Sequence, residues 1–321
     1  MRTTIKYIII SLLIVSVGSC DSDEKFEKEL YEKYFYIVSD NDQIHNLLFD
    51  LNKQTDTCSV SIACSGTKYI DTDTRITLEK DHDILTKYNY SNFDINEDKY
   101  AKDMDGNSFT MPSMTAFLHK NDIDPYTTLP IIIKQEVLDK LSPDSIYFIP
   151  LKIRDVSHYQ INEAKNNVLC RIYKYNKYAN TQETTLYTMK GYQVLNNGNT
   201  ASISGSKNVE PLNHNKVRML VSNTKFVADL KTIARYAMTV EVQSDNTVRI
   251  EPYMPDLGTL EVQLLTPPNS TQDDFLYQNI YESKTKRFLL YYKYRTRDNN
   301  TAAWSEWITI KEATKRLSTE S

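Results

Sequence analysis

Both tryptophans of the chain stand in one short segment, Trp304-Ser305-Glu306-Trp307. Exposed indole and phenol rings bind sugars by stacking on the apolar face of a pyranose, so Trp304 and Trp307 are the candidate glycan-binding residues. Three positions apart, they would point to opposite faces of a regular strand but to similar faces of a helix or bulge. The alternative is structural: one ring packs in a core and the other caps a sheet end.

The remaining reactive residue types form no catalytic constellation. The histidines His45, His82, His119, His158 and His214 have no metal-ligand spacing and no nucleophile motif beside them. Asp103-Met104-Asp105-Gly106-Asn107-Ser108 has the look of part of a calcium loop. An EF-hand needs an acid at position 101 and a Glu at 112, where this chain has Ala101 and Pro112, so a polar turn is expected. Asp71-Thr72-Asp73 falls between two strand-like segments and reads as an Asx-type turn. Asp122 with Asp124, and Asp273 with Asp274, are acidic neighbours in a chain with 42 acidic residues. Glycosidase chemistry needs two carboxyls facing each other across a cleft, and adjacency in sequence does not supply that. No catalytic residue, metal ligand or cofactor is therefore expected.

Cysteine usage agrees with this. Cys58 and Cys64 lie six apart on a strand-like segment, so their Cα atoms should be roughly 20 Å apart, too far for a disulfide. Cys170 lies in another apolar strand and could meet one of them; buried free thiols are the simpler expectation. A four-cysteine zinc site does not fit the spacing.

The elements that must position these residues are mostly strands. Cys58–Cys64 alternates with period two, as does Arg75–Glu79. Leu129–Ile133, Ser145–Ile153 and Val168–Tyr175 are apolar or alternating runs, with an edge or bulge expected at Pro150. Many short strands separated by turns argue a β-sandwich over 34–178. A polar stretch, Asn176 to Glu183, follows. Ala237–Val242 and Thr247–Tyr253 flank a turn and predict a hairpin. Asn279–Tyr281 and Arg287–Tyr294 predict a second. Trp304 to Ile310 is expected as a further strand and Phe226 to Ala234 as a helix. Residues 179–321 thus read as a β-rich, barrel-like domain. The 23 tyrosines and 7 glycines suit strands. The net charge is −4 with no basic run, which argues against a nucleic-acid partner.

The first residues carry an address. Arg2 and Lys6 precede the apolar run Tyr7 to Val15, then small residues lead to Cys20. That order describes a secretory signal over 1–19, and the run is too short to span a bilayer, which takes about 20 residues. Val17-Gly18-Ser19-Cys20 resembles the bacterial lipobox, which implies lipid on Cys20 and attachment to a membrane. Asp21-Ser22-Asp23-Glu24 begins an acidic tether over 20–33. It resembles the surface-export signal of Bacteroidetes lipoproteins, which implies an outer-membrane anchor facing the cell exterior.

Taken with Ile84-Leu85-Thr86-Lys87-Tyr88-Asn89, Tyr147–Ile153, Ile161-Asn162-Glu163 and Val168–Tyr173, the chain resembles a family of two-domain Bacteroidetes surface lipoproteins. Asn279-Ile280-Tyr281, Phe288–Tyr294 and Leu317 extend the likeness into the C-terminal half. The family's genes often sit in polysaccharide-utilisation loci beside outer-membrane transporters. The resemblance implies a mainly β protein with an immunoglobulin-like β-sandwich followed by a β-rich domain. It implies a non-catalytic role in binding oligosaccharide or assisting an outer-membrane transporter. The competing reading is a structural or adhesive lipoprotein that binds another protein. Trp304 to Trp307 is also similar to the WSxWS box of cytokine receptors, but Ile308 replaces its last serine.

Overall fold

The computed structural model describes residues 32–66, 69–195, 197–267 and 276–317. The signal at 1–19, Cys20, the acidic block and the pair Asp273 and Asp274 lie outside the described residues. No helix among the described residues is long and apolar enough to cross a membrane.

The N-terminal part is a two-sheet sandwich. One sheet has the order β7 (Tyr126–Lys134), β3 (Thr55–Cys64), β1 (Tyr34–Ile37), β9 (Gln160–Ile161). The other runs β2 (Ile44–Asp50), β10 (Asn167–Tyr175), β8 (Tyr147–Val156), β4 (Thr74–Lys80), β6 (Thr115–Leu118), with β5 (Lys102–Asp103) pairing β8. Alternate residues meet between the sheets: Phe35, Phe49, Val60, Ile131, Leu151 and Cys170 are all fully buried. Burial pushes the Cys170 thiol up to about 12 and the Cys58 thiol to about 11; both are free, so Cys170 bridges neither partner.

Helix α1 (His82–Phe93) covers the outer face of the second sheet. Asp81 caps it by accepting the Asp83 N–H at 3.2 Å. Ile84 and Leu85 pack with Phe148 and Leu169, which explains why β8 and β10 read as near-continuous apolar runs: both of their faces are buried. Asn89 is buried there, and its amide exchanges two hydrogen bonds with the backbone of Ala101, at 2.9 and 2.8 Å. Pro150 is not at an edge as expected. It lies in central β8, just past the Lys80–Leu151 pair that ends the β4 ladder, and its carbonyl accepts Asp81 N–H at 3.2 Å. Helix α2 (Gln135–Leu138) follows β7.

The C-terminal part is one strongly coiled sheet, ordered β15 (Val248–Pro252), β14 (Ala237–Val242), β13 (Lys216–Leu220), β12 (Thr200–Pro211), β11 (Thr185–Val194), β19 (Ile308–Arg316), β18 (Arg287–Thr296), β16 (Leu260–Leu264). Its end strands come together, and β17 (Ile280–Glu282), which pairs β18, bridges to Thr247 beside β15. The result is a nearly closed barrel. Both expected hairpins form, β14–β15 and β17–β18. The helix α3 is Leu230–Tyr236, displaced from the expected 226–234 because Asp229 caps it, accepting Thr232 N–H at 2.8 Å. Gly191 is obligatory in β11: a Cβ there would come within 2.0 Å of the Lys311 carbonyl oxygen.

Polar residues join the two domains. Lys174, 3% exposed, donates from Nζ to the carbonyls of Leu138 (2.8 Å) and Leu141 (2.7 Å) in the sandwich, and of Leu212 (3.2 Å) in the barrel. Arg218 of β13 pairs with Asp144 at 2.5 Å.

Candidate functional site

Trp304 and Trp307 are not in a strand. Strand β19 begins only at Ile308, and residues 304–307 run irregularly beside β18, held by Ser305 N–H to the Thr296 carbonyl at 2.9 Å. The reason lies in β18. Its outward positions read Lys293, Arg295, then Arg297 just beyond the strand end. Alternate residues of a strand are about 6.8 Å apart, which leaves room for one aromatic ring between successive cations. Trp307 lies 4.5 Å from Lys293 Nζ and 4.7 Å from Arg295 Cζ, measured to the ring centroid. Trp304 lies 4.9 Å from Arg295 and 4.4 Å from Arg297. The rings share one face of the sheet because two residues in an irregular turn, Ser305 and Glu306, and not a straight strand, separate them. This is a cation–π ladder of five side chains on the outer barrel wall.

Glu261 of β16 pairs with Arg295 at 2.7 Å and fixes the middle rung. Arg297 Nε donates to the Gly258 carbonyl at 2.5 Å. Gly258 has φ +57° and stands 3.0 Å from Arg297 through the position a Cβ would occupy, so a side chain there would push the guanidinium away.

Trp307 also lines an open pocket of about 380 Å³ with Gln193, Val194, Leu195, Asn197, Glu306 and Ile308. The pocket forms where the β11–β12 turn meets the start of β19. An indole wall beside two amides and one carboxylate can offer an apolar surface and several hydrogen-bonding groups to a polyhydroxylated ligand. Trp304 is not part of that pocket. On the other side of the ladder a second pocket, about 490 Å³, is lined by Leu230, Arg235, Leu257, Asp298 and Asn299, among others. Asp298 there pairs with Arg235 at 2.5 Å.

The other sequence candidates are structural. Asp103 pairs with Lys80 at 2.7 Å and with His82 at 3.1 Å, and Asp105 caps its own turn by accepting Asn107 N–H. Asp71 accepts the Tyr159 hydroxyl, and Asp73 accepts Lys120 N–H at 2.7 Å, so this turn is tied to neighbouring loops as well as to itself. Asp122 accepts His119 N–H at 2.7 Å. His45 meets the Ser59 carbonyl, and His214 meets Gln135 across the domain junction. Among the described residues no group of three or more potential ligands converges on a metal position. Reading the sequence missed Lys293, Arg295, Arg297, Gln193 and Asn197. The signal for the first three was present, as a period-two stripe of cations at 293, 295 and 297.

Residues 31–160 match the family model of an N-terminal domain, and residues 166–315 match that of a C-terminal domain. A structural-genomics protein of unknown function from Bacteroides ovatus is 15% identical, with TM-score 0.58, covering 88% of this chain and 93% of its own. A multidomain protein from the same organism is 14% identical, with TM-score 0.57, covering 88% and 94%. An auxiliary nutrient binding protein from Bacteroides thetaiotaomicron is 13% identical, with TM-score 0.57, covering 87% and 92%. At these identities the likeness is one of fold. No curated protein matches the sequence. The two domain matches and these structures place the chain in a two-domain, β-rich family represented in Bacteroides.

Proposed function

We propose that this chain is a non-catalytic binding protein that holds oligosaccharide at the cell surface, anchored to the outer membrane by lipid on Cys20 and serving a neighbouring transporter. The observation that carries the reading is the Trp307 pocket. It presents one indole, two amides and one carboxylate where the β11–β12 turn meets the start of β19. Acid–base cleavage of a glycoside needs a second carboxyl across the cleft, and Glu306 is the one carboxylate among the described lining residues. The shared fold with an auxiliary nutrient binding protein supports a binding role.

Two measurements test the proposal. Isothermal titration against a panel of oligosaccharides should give binding that Trp307→Ala weakens by about tenfold, the scale of one lost anchoring contact. If no member of the panel binds, the reading is wrong, and a protein partner recovered from surface-labelled cells would favour the adhesive alternative. Protease treatment of intact cells should cleave the parent protein and spare both Cys20→Ala and a variant with residues 21–24 replaced by alanine. Protection of the parent would place it inside the envelope.

A further inference from the structure

The ladder gives the outer wall beside the pocket a charge opposite to that of the chain. The chain carries −4. Yet Lys293, Arg295 and Arg297 project from successive outward positions over roughly 14 Å of strand. By strand register, Lys190 projects from the same face. Against them stand Glu261, already paired with Arg295, Glu306 on the pocket wall, and Asp298, already paired with Arg235. Neither Lys293 nor Arg297 pairs with any carboxylate among the described residues.

Stacking explains why such a row persists without counter-charges. A ring quadrupole stabilises each cation through its face, without neutralising it. A guanidinium stacked by its face keeps its N–H donors in the plane of the group, facing away from the ring. Arg297 uses one of these on the Gly258 carbonyl and keeps its terminal nitrogens. The rings also hold the cations in place, so little side-chain entropy is lost when an anion docks. A planar carboxylate or a sulfate suits these donors, because it brings an opposite charge and paired oxygens that an uncharged hydroxyl lacks.

We propose that the ladder selects acidic oligosaccharides, those carrying carboxylate or sulfate groups, with Lys293 and Arg297 as the anion-binding rungs and the Trp307 pocket taking an adjoining sugar ring. This rests on the oligosaccharide reading above and adds the ligand's charge to it.

The test is titration of the purified full chain with tetragalacturonate, a chondroitin sulfate tetrasaccharide and uncharged galactotetraose, at low and high salt. At least one acidic probe should bind about tenfold or more tightly than the neutral one, as expected for a gained charge-assisted contact. That advantage should shrink at high salt. Lys293→Gln and Arg297→Gln should each reduce acidic binding by about tenfold and neutral binding by clearly less, with unfolding temperatures confirming that the variants fold. If neutral and acidic probes bind the parent equally, the selectivity is overturned and the oligosaccharide reading stands. If none binds, the oligosaccharide reading falls as well. If anionic phospholipid vesicles bind through Lys293 and Arg297 while the acidic probes do not, the face meets a membrane and the proposal is overturned.

Discussion

At the scale of single residues, the two tryptophans have different work. Trp304 has cations within 5 Å on the Arg295 and Arg297 sides and is not among the described residues lining the Trp307 pocket. Trp307 is both a rung and a pocket wall. Trp304→Ala should therefore cost stability, about 1–2 kcal/mol for two lost cation–π contacts, and weaken ligand binding less than Trp307→Ala does. Urea unfolding beside titration separates the two. Equal loss of binding in both variants would show that the ladder, and not the pocket, is what a ligand meets. The candidate pair was legible in the sequence because both tryptophans of the chain fall together. Its partners were not, because β18 lies about ten residues away and only pairing of strands brings the cations alongside.

At the scale of the element, the barrel carries a buried ion pair. Lys207 of β12 and Glu312 of β19 are 1% and 0% exposed, with Nζ 2.9 Å from Oε1, and Lys207 also donates to the Leu220 carbonyl at 2.6 Å. Burial drives the lysine down and the glutamate up, while each one's partner opposes the shift. Lys207 does most to hold the glutamate's charge against burial, and the Tyr292 and Thr314 side chains add to it. Lys207→Met should destabilise the barrel by about 3–5 kcal/mol, since it leaves a buried carboxylate unpaired. The double variant with Glu312→Leu should recover most of that loss, because both desolvation costs vanish together. A double variant no more stable than Lys207→Met would mean the pair supports the barrel by something other than mutual charge.

At the scale of the whole molecule, the junction between sandwich and barrel is polar and titratable. Glu210 sits beside Arg218, and burial, with Asp144 adding to it, raises its carboxyl to about 7 from an ordinary 4.5. The folded protein therefore holds a proton there that the unfolded chain releases. This group's contribution to stability falls as pH rises from 4.5 to 7 and is level above that. Lys174, lowered to about 8 by burial, works at the other end: folding favours its neutral form, so stability gains from it as pH rises from 8 towards 10.5. Glu210→Gln should melt progressively higher than the parent as pH goes from 5 to 7, with the gap constant above 7. A gap independent of pH would remove Glu210 from this role. The same junction predicts that Lys174→Met loosens the domains, since three carbonyls from both domains converge on that one ammonium. Faster proteolysis near 176–184 at unchanged secondary structure would register it.

How much was readable from the chain follows the range of each interaction. Strand periods and the two barrel hairpins depend on neighbours within a few residues, and the sequence declared them. The class of each domain followed, because alternating segments of that length can bury their apolar faces only against other sheets. The helix α1 was hidden, since Ile84, Leu85 and Tyr88 are the apolar residues it packs on the sheet and the buried Asn89 interrupts that face. Pro150 misled, because its place past the end of a ladder depends on where β4 stops. The ladder, the Lys207–Glu312 pair and the junction were decided by tertiary structure alone. The pair and the junction join segments far apart in the chain, the ladder joins a strand to the irregular turn after it, and a charge becomes a rung, a buried pair or a latch only when folding fixes what faces it.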